Sequence, residues 1–429
     1  MFKKLFEPIK IGNMELKNRL TTVAMEGVYC EQDGTVTDRH VDYVEARAKG
    51  GWGLIISEAC SVSQVGTGFT YCTSLKDDKY IPGMKRVADI AHKHQAKMAV
   101  QLIHAGRQTA SALTGMEIVA PSAVKDPTEP ETPHEMTIAE IKQTVEDFGN
   151  AAARAKKAGF DAVEIHGAHG YLIQQFVSPF SNKRSDEYGG TIRNRARFAL
   201  EIVENIQSKC GKDFPIIYRM TADELVVGGL TLSETKAIAM MLEDAGVNAI
   251  NVSLGNYTTS SYICPTAYSP KGFTGDMAEE IKKAVSIPVF SVGRYVDPYV
   301  AEAALQSGKA DMIGMGRGSL ADPEFPNKVK EGRIDDIMQC ISCRQGCQGN
   351  LFKFQGIECL VNPVTGHEGE YKKVPAEVKK KVVVIGGGVA GMEAAIIAAE
   401  RGHSVTLYEK SDKLGGQWLL AAIPPAKHE

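Results

Sequence analysis

Short apolar runs alternate with stretches of helical periodicity over about 320 residues, and this alternation is the tightest limit on what the chain can fold into. The runs fall at 20–25, 54–58, 97–103, 162–166, 216–220, 249–253, 289–292 and 312–315. Strands this short and this apolar, separated by helices, are the pattern of βα units, which build a parallel sheet covered on its outside. Eight of them in this length fit one closed (β/α)8 TIM barrel of the α/β class. The helices between are amphipathic, most clearly at 141–158 and 232–245, and Thr137-Ile-Ala-Glu140 before the first has the form of a capping box.

The fourth run carries the densest chemistry. It opens a stretch from Glu164 to Tyr171, EIHGAHGY, followed by a helical segment at 172–176. His166, His169 and Tyr171 therefore gather near the carboxyl end of a barrel strand, where active sites of this architecture sit. Two neutral imidazoles can polarise a carbonyl oxygen, and a neighbouring phenol can deliver a proton. The segment 121–133, rich in Pro, Glu and Thr, reads as a loop over the barrel mouth, either a substrate lid or a passive surface loop.

Composition excludes several classes of function. With 49 basic and 52 acidic residues among 429, nothing singles out nucleic acid or an anionic membrane as partner. The N-terminus, MFKKLFEPIKIG, lacks the apolar core of a signal peptide, and no apolar run reaches the ~20 residues of a membrane helix. A soluble cytoplasmic protein is expected, its oligomeric state left open with a homo-oligomer among the options. Nine cysteines in such a chain are too few for a disulfide scaffold, and four are grouped as in a metal site.

Those four follow the barrel. Cys340, Cys343 and Cys347, with Cys359 beyond, let a compact loop wrap one metal centre, zinc or a [4Fe–4S] cluster alike. A polar linker then leads to Val382-Val-Val-Ile-Gly-Gly-Gly-Val-Ala-Gly391, a strand running into G-x-G-x-x-G (Gly386, Gly388, Gly391) and a helix at 392–401. A second strand, Ser404–Tyr408, ends in Glu409. Glycines at these positions let a pyrophosphate approach a helix N-terminus, and the acid can hold a ribose hydroxyl. The expected domains are a barrel at 1–335, a four-cysteine segment and linker at 336–378, and the start of a doubly wound nucleotide-binding domain at 379–429. Such a sheet needs several further βα units, so the sequence reads as a fragment whose last segment does not complete a nucleotide site.

Five motifs give the chain a resemblance: NRL at 18–20, QLIHAGR at 101–107, EIHGAHGYLIQQF at 164–176, SNKRSDEYGG at 181–190 and GRGSLADPEFPNK at 316–328. With the cysteine loop and glycine motif, it resembles the multi-domain class of the Old Yellow Enzyme superfamily that includes 2,4-dienoyl-CoA reductase, 2-enoate reductase, bile-acid reductases and trimethylamine dehydrogenase. The resemblance implies FMN at the barrel mouth. Ala24, Met25, Glu26 and Ala59 would lie along one flavin edge, Gln101 and Arg219 at its pyrimidine side, and Arg294, Gly316 and Arg317 at its phosphate. It further implies a [4Fe–4S] cluster on the four cysteines, and FAD held by Gly386, Gly388, Ala390, Gly391, Glu409 and Gln417.

The same resemblance implies reduction of an activated C=C bond in a small unsaturated substrate, with electrons from NAD(P)H through FAD and the cluster. His166 and His169 would bind the carbonyl oxygen, and Tyr171 would supply the proton. Two alternatives stand beside it: an amine or betaine dehydrogenase, and a flavin and iron–sulfur electron-transfer module. The paired histidines, and Asn256–Tyr257 where 2,4-dienoyl-CoA reductase has a histidine, depart from a dienoyl-CoA enzyme. Glu26 stands where relatives carry small, polar or sulfur-bearing residues.

Overall fold

The computed structural model describes residues 2–372, 374–425 and 427. It divides into two compact units, Met1–Gly366 and His367–Glu429. In the first, eight strands close a barrel: β1 (Leu20–Thr22), β2 (Leu54–Ser61), β3 (Lys97–Ile103), β4 (Ala162–Gly167), β5 (Ile216–Thr221), β6 (Ala249–Ser253), β7 (Val289–Val292) and β8 (Met312–Met315). Every neighbouring pair is parallel, and β8 closes on β1 through Ile313↔Leu20 and Met315↔Thr22. The eight strands and their order match the expected barrel.

Around it lie α1 (Asp38–Lys49), α2 (Ile81–Lys93), α3 (Ile138–Lys157), α4 (Ile192–Cys210), α5 (Leu232–Asp244), α6 (Gly275–Lys282), α7 (Pro298–Gln306) and α8 (Phe325–Glu331). The capping box read from Thr137 and Glu140 is formed: the Thr137 backbone N–H donates to Glu140 Oε2 (2.7 Å) and Glu140 N–H to Thr137 Oγ1 (3.2 Å). That satisfies two of the donors a helix start leaves open. At the floor of the barrel an antiparallel hairpin, Ile9–Ile11 with Met14–Leu16, packs its apolar side chains against Leu54, Ile56, Ala99, Ile217 and Phe290.

Two local features differ from expectation, and for a third the sequence allows two readings. The first strand ends at Thr22 rather than residue 25, because the chain leaves the sheet to pass over the mouth. The second continues past 58, because a β-bulge lies between Ser57 and Ala59: these pair with Val100 and Gln101, and Glu58 is left without a partner on β3. The segment 121–133 contributes none of the described residues lining the mouth. It is held at the rim instead, by the buried Arg107–Asp126 ion pair (3.3 Å) and by Arg184 donating to the Pro121 carbonyl (2.9 Å).

The four-cysteine segment lies within the first unit and is laid against the barrel. Ile357 N–H donates to the Gly27 carbonyl (3.0 Å), Tyr29 Oη to the Ile357 carbonyl (2.6 Å), and Thr365 Oγ1 to the Leu320 carbonyl (2.8 Å). In the second unit, β9 (Lys381–Ile385) and β10 (Ser404–Tyr408) pair in parallel around α9 (Val389–Glu400). The helix begins at Val389, three residues earlier than its sequence periodicity indicates. Among the described residues no helix is long and apolar enough to cross a membrane.

Candidate active site

The carboxyl ends of the strands surround one cavity. The loop after β1 contributes Ala24, Met25 and Glu26, β3 contributes Gln101, β4 and its loop His166, His169 and Tyr171, and β5 Arg219. Arg294 follows β7, and Gly316 with Arg317 follow β8. Ala59 is not among the residues lining this cavity: level with Gln101 on β3, it packs with Ile103 and Ala105 against Tyr171. Sequence reasoning did not assign Phe69, Ser253, Tyr257, Tyr262, Cys264 or Phe352, which also line the cavity.

His166 and His169 sit edge to face, ring centroids 5.0 Å apart, and Tyr171 meets His166 in the same way at 4.8 Å. His169 holds φ at 63°, which lets its loop turn back over the strand end, where its N–H meets Thr221 Oγ1 (3.1 Å). Its Nε2 lies 2.7 Å from Ser253 Oγ. His166 Nδ1 is buried and has no hydrogen-bond partner among the described residues. Burial, and then the charge of Arg219, hold both histidines well below the usual imidazole range, so both are neutral at pH 7.

Tyr171 is hydrogen-bonded to Tyr257, oxygen to oxygen at 2.6 Å, and burial holds both phenols above their ordinary range. The pair comes from loops 86 residues apart. Below them Glu164 accepts from Gln101 Nε2 (2.6 Å) and Asn251 Nδ2 (2.7 Å), which fixes the Gln101 amide at the cavity wall. Glu26 is half-buried; desolvation is the main cause that pushes its carboxyl up to about 7, with Glu58 reinforcing it and Arg219 opposing.

The cavity wall also carries cations. Arg219, Arg294 and Arg317 all reach it, and Arg219 Nε and Arg317 Nη1 are buried without protein partners. Here the backbone also comes close: a Cβ on Gly316 would meet the Met25 sulfur at 2.9 Å. Three guanidiniums converging on a cavity call for an anionic group, and barrel phosphate sites form after the seventh and eighth strands. The residues present therefore fit a flavin nucleotide.

Cys340, Cys343, Cys347 and Cys359 line a second cavity in common, and Cys340 and Cys347 also reach the first. Among the described residues no three of these sulfurs lie within 4.8 Å of one another. Four thiols on one cavity are a donor set that suits a zinc ion or an iron–sulfur cluster. In the second unit Gly387 N–H donates to Glu409 Oε2 (2.6 Å). A Cβ on Gly391 would fall 1.9 Å from the Gly386 carbonyl oxygen, so the third glycine lets the helix start under the turn. Gly388, Ala390 and Gln417 lie in the same unit, Gly388 bridging to Gly415 and Gln417 preceding the short helix Trp418–Ala421.

Two family models match: NADH:flavin oxidoreductase / NADH oxidase over residues 4–336, and FAD dependent oxidoreductase over 381–428. The chain is 47% identical over 430 residues to an NADH oxidase of Thermoanaerobacter brockii, covering 99% of this chain and 66% of that protein. It is 39% identical over 455 residues to a cinnamate reductase of Clostridium sporogenes, covering all of this chain and 68% of that one. The chain thus spans only part of these relatives' length. Among solved structures, a 2-naphthoyl-CoA reductase complex superposes with a TM-score of 0.96 at 36% identity, over all of this chain and 67% of the other. Histamine dehydrogenase from Rhizobium sp. 4-9 follows at 0.91 and 31%, over all of this chain and 63% of its own.

Proposed function

The chain belongs to the NADH:flavin oxidoreductase / NADH oxidase family, and from that premise we propose that it reduces the C=C bond of an α,β-unsaturated carbonyl, enoate or thioester. The observation that carries this reading is the set of two neutral imidazoles and a hydrogen-bonded tyrosine pair around one cavity. FMN would be held by Gln101, Arg219, Arg294 and Arg317, and when bound supplies two electrons as a hydride equivalent.

The chain's own residues do the rest. Attack at the β-carbon builds negative charge on the substrate's carbonyl oxygen. His166 and His169, neutral and fixed, donate hydrogen bonds to that oxygen and favour the transition state over the ground state. Tyr171 gives its proton to the α-carbon, and Tyr257, 2.6 Å away, replaces it. Burial keeps both phenols protonated until that moment.

The four cysteines and the glycine motif extend the proposal to electron supply: a [4Fe–4S] cluster on Cys340, Cys343, Cys347 and Cys359, and FAD on the second unit, would carry electrons from NAD(P)H. The four thiols lining one cavity support a metal group there. The likeness to histamine dehydrogenase and the carboxyl of Glu26 at the cavity wall favour a second reading, oxidation of an amine with the carboxylate holding the cation.

One experiment separates the two. The photoreduced protein is mixed anaerobically with enones, enoates and amines, and flavin absorbance is followed. Reoxidation by an unsaturated carbonyl is the expected result; no response to any of these, with bleaching of the oxidised protein by an amine, reverses the assignment.

A further inference from the structure

Behind the loop that carries Met25 and Glu26, three elements bring a thiol, an imidazole and a carboxylate to one buried point. Cys30, His40 and Glu58 are 6%, 2% and 3% exposed. The loop after β1 supplies Cys30. Thr37 caps α1 by accepting the His40 N–H, which sets His40 in the helix's first turn. Glu58 is the residue that the β2 bulge removes from the regular ladder, the usual way a bulge re-aims a side chain.

One donor atom from each residue lies within 4.8 Å of the other two. Cys30 Sγ is 3.6 Å and His40 Nδ1 is 3.8 Å from the same oxygen, Glu58 Oε1. The second separation is too long for a hydrogen bond. Both match the edge of a tetrahedron of ligands: with metal–ligand bonds of about 2.0–2.3 Å, ligands on one ion sit ~3.3–3.8 Å apart. Among the described residues neither ring nitrogen of His40 has a hydrogen-bond partner, whereas a core histidine nearly always has one.

We propose that Cys30, His40 and Glu58 bind a divalent cation of the zinc type, a site separate from the four-cysteine segment. Sulfur, imidazole and carboxylate together are a zinc donor set. Thiolate and carboxylate balance the ion's two charges, which a buried site requires. Binding displaces one proton, from the Cys30 thiol, to solvent. Backbone donors already orient the carboxylate, Thr73 N–H to Oε1 (2.7 Å) and Gly27 N–H to Oε2 (2.8 Å), as outer partners do for metal ligands. A small cavity adjoins His40 and Glu58, while Cys30 approaches Glu58 from outside its lining. Arg47, in its wall, is stacked on the Tyr43 ring and donates to the Tyr43 carbonyl. The ion would tie α1 and β2 to the loop holding Glu26, one residue from Gly27.

The test uses the full chain with its own cofactors, loaded with Zn²⁺, passed over a chelating resin and assayed for zinc. Wild type and Cys359→Ser should each keep about one zinc per chain, and Cys30→Ser and His40→Gln should bind it at least tenfold more weakly. Zinc K-edge absorption of the wild type needs no variant: one sulfur with nitrogen and oxygen neighbours is expected. Four sulfurs around the zinc, equal zinc in Cys30→Ser and wild type, or no zinc in wild type would each overturn the proposal.

Discussion

The two ends of the barrel are built from the same strands and buried to the same degree, yet they hold opposite chemistry. At the floor Leu54, Ile56, Ala99, Ala162, Ile217, Ala249, Phe290 and Met312 fill the interior under the hairpin. At the mouth the same strands present Gln101, Glu164, His166, Arg219, Asn251 and Ser253, none more than 6% exposed. Apolar burial stabilises by about 25 cal/mol per Å², whereas burying a polar group costs free energy unless each atom is paired. Several mouth atoms have no protein partner: His166 Nδ1, Arg219 Nε and Asn251 Oδ1. One end holds the fold and the other keeps unmet polar atoms for a ligand.

The comparison breaks most visibly at the histidines. His166→Ala or His169→Ala should each slow enone-dependent flavin reoxidation about 10²–10³-fold, the cost of a lost oxyanion donor. Flavin reduction should change far less, and stopped-flow of the two half-reactions checks both. Equal loss in the two halves would place these rings in flavin binding instead. At the floor, Phe290→Ala should lower unfolding free energy by about 3–5 kcal/mol in denaturant melts while leaving reoxidation within a few-fold of wild type. A floor variant that stays stable but loses turnover would end the division of labour.

A smaller effect is expected at the tyrosines. Tyr171→Phe should slow proton delivery about 10²-fold, and Tyr257→Phe less, since it removes only the partner that reprotonates Tyr171. Solvent deuterium should slow wild type more than Tyr171→Phe. An isotope effect unchanged by the substitution would move the proton donor elsewhere.

The floor and the mouth were not equally legible from sequence. The strands declared themselves because parallel barrel strands are largely apolar, above all toward the floor, and α3 because its capping box is written in four consecutive residues. The histidines were visible because they follow a strand by fixed local spacing. Tyr257 stood out only as a departure from a relative; its pairing with Tyr171 spans 86 residues, and no local pattern encodes it. The bulge at Glu58 was equally hidden, because the register that exposes it belongs to the pairing of β2 with β3. For the segment 121–133 composition gave a loop and left two readings open, because proline and acid describe a loop but not its anchors at Arg107 and Arg184.

Glu26 gives the smallest effect and the sharpest test of the contrast between the two ends, because it is a mouth residue whose burial should be measurable as stability. Desolvation lifts its carboxyl from 4.5 to about 7, so the folded chain keeps a proton that the unfolded chain has released. Its contribution is therefore fully present below pH 4.5 and is lost as pH rises through 7. Each tenfold change in proton affinity is worth about 1.4 kcal/mol, and with part of the carboxyl open to water the loss across that window is roughly 2–3 kcal/mol. Glu26→Gln carries no such proton. Relative to wild type it should gain stability steadily from pH 4.5 to 7, with the gap constant above and below. Denaturant melts at half-unit pH steps measure this directly. Parallel profiles for the two proteins would mean that Glu26 titrates alike in the folded and unfolded chain, its backbone hydrogen bond and Arg219 offsetting desolvation, and the mouth would then hold a carboxylate beside Arg219 at neutral pH.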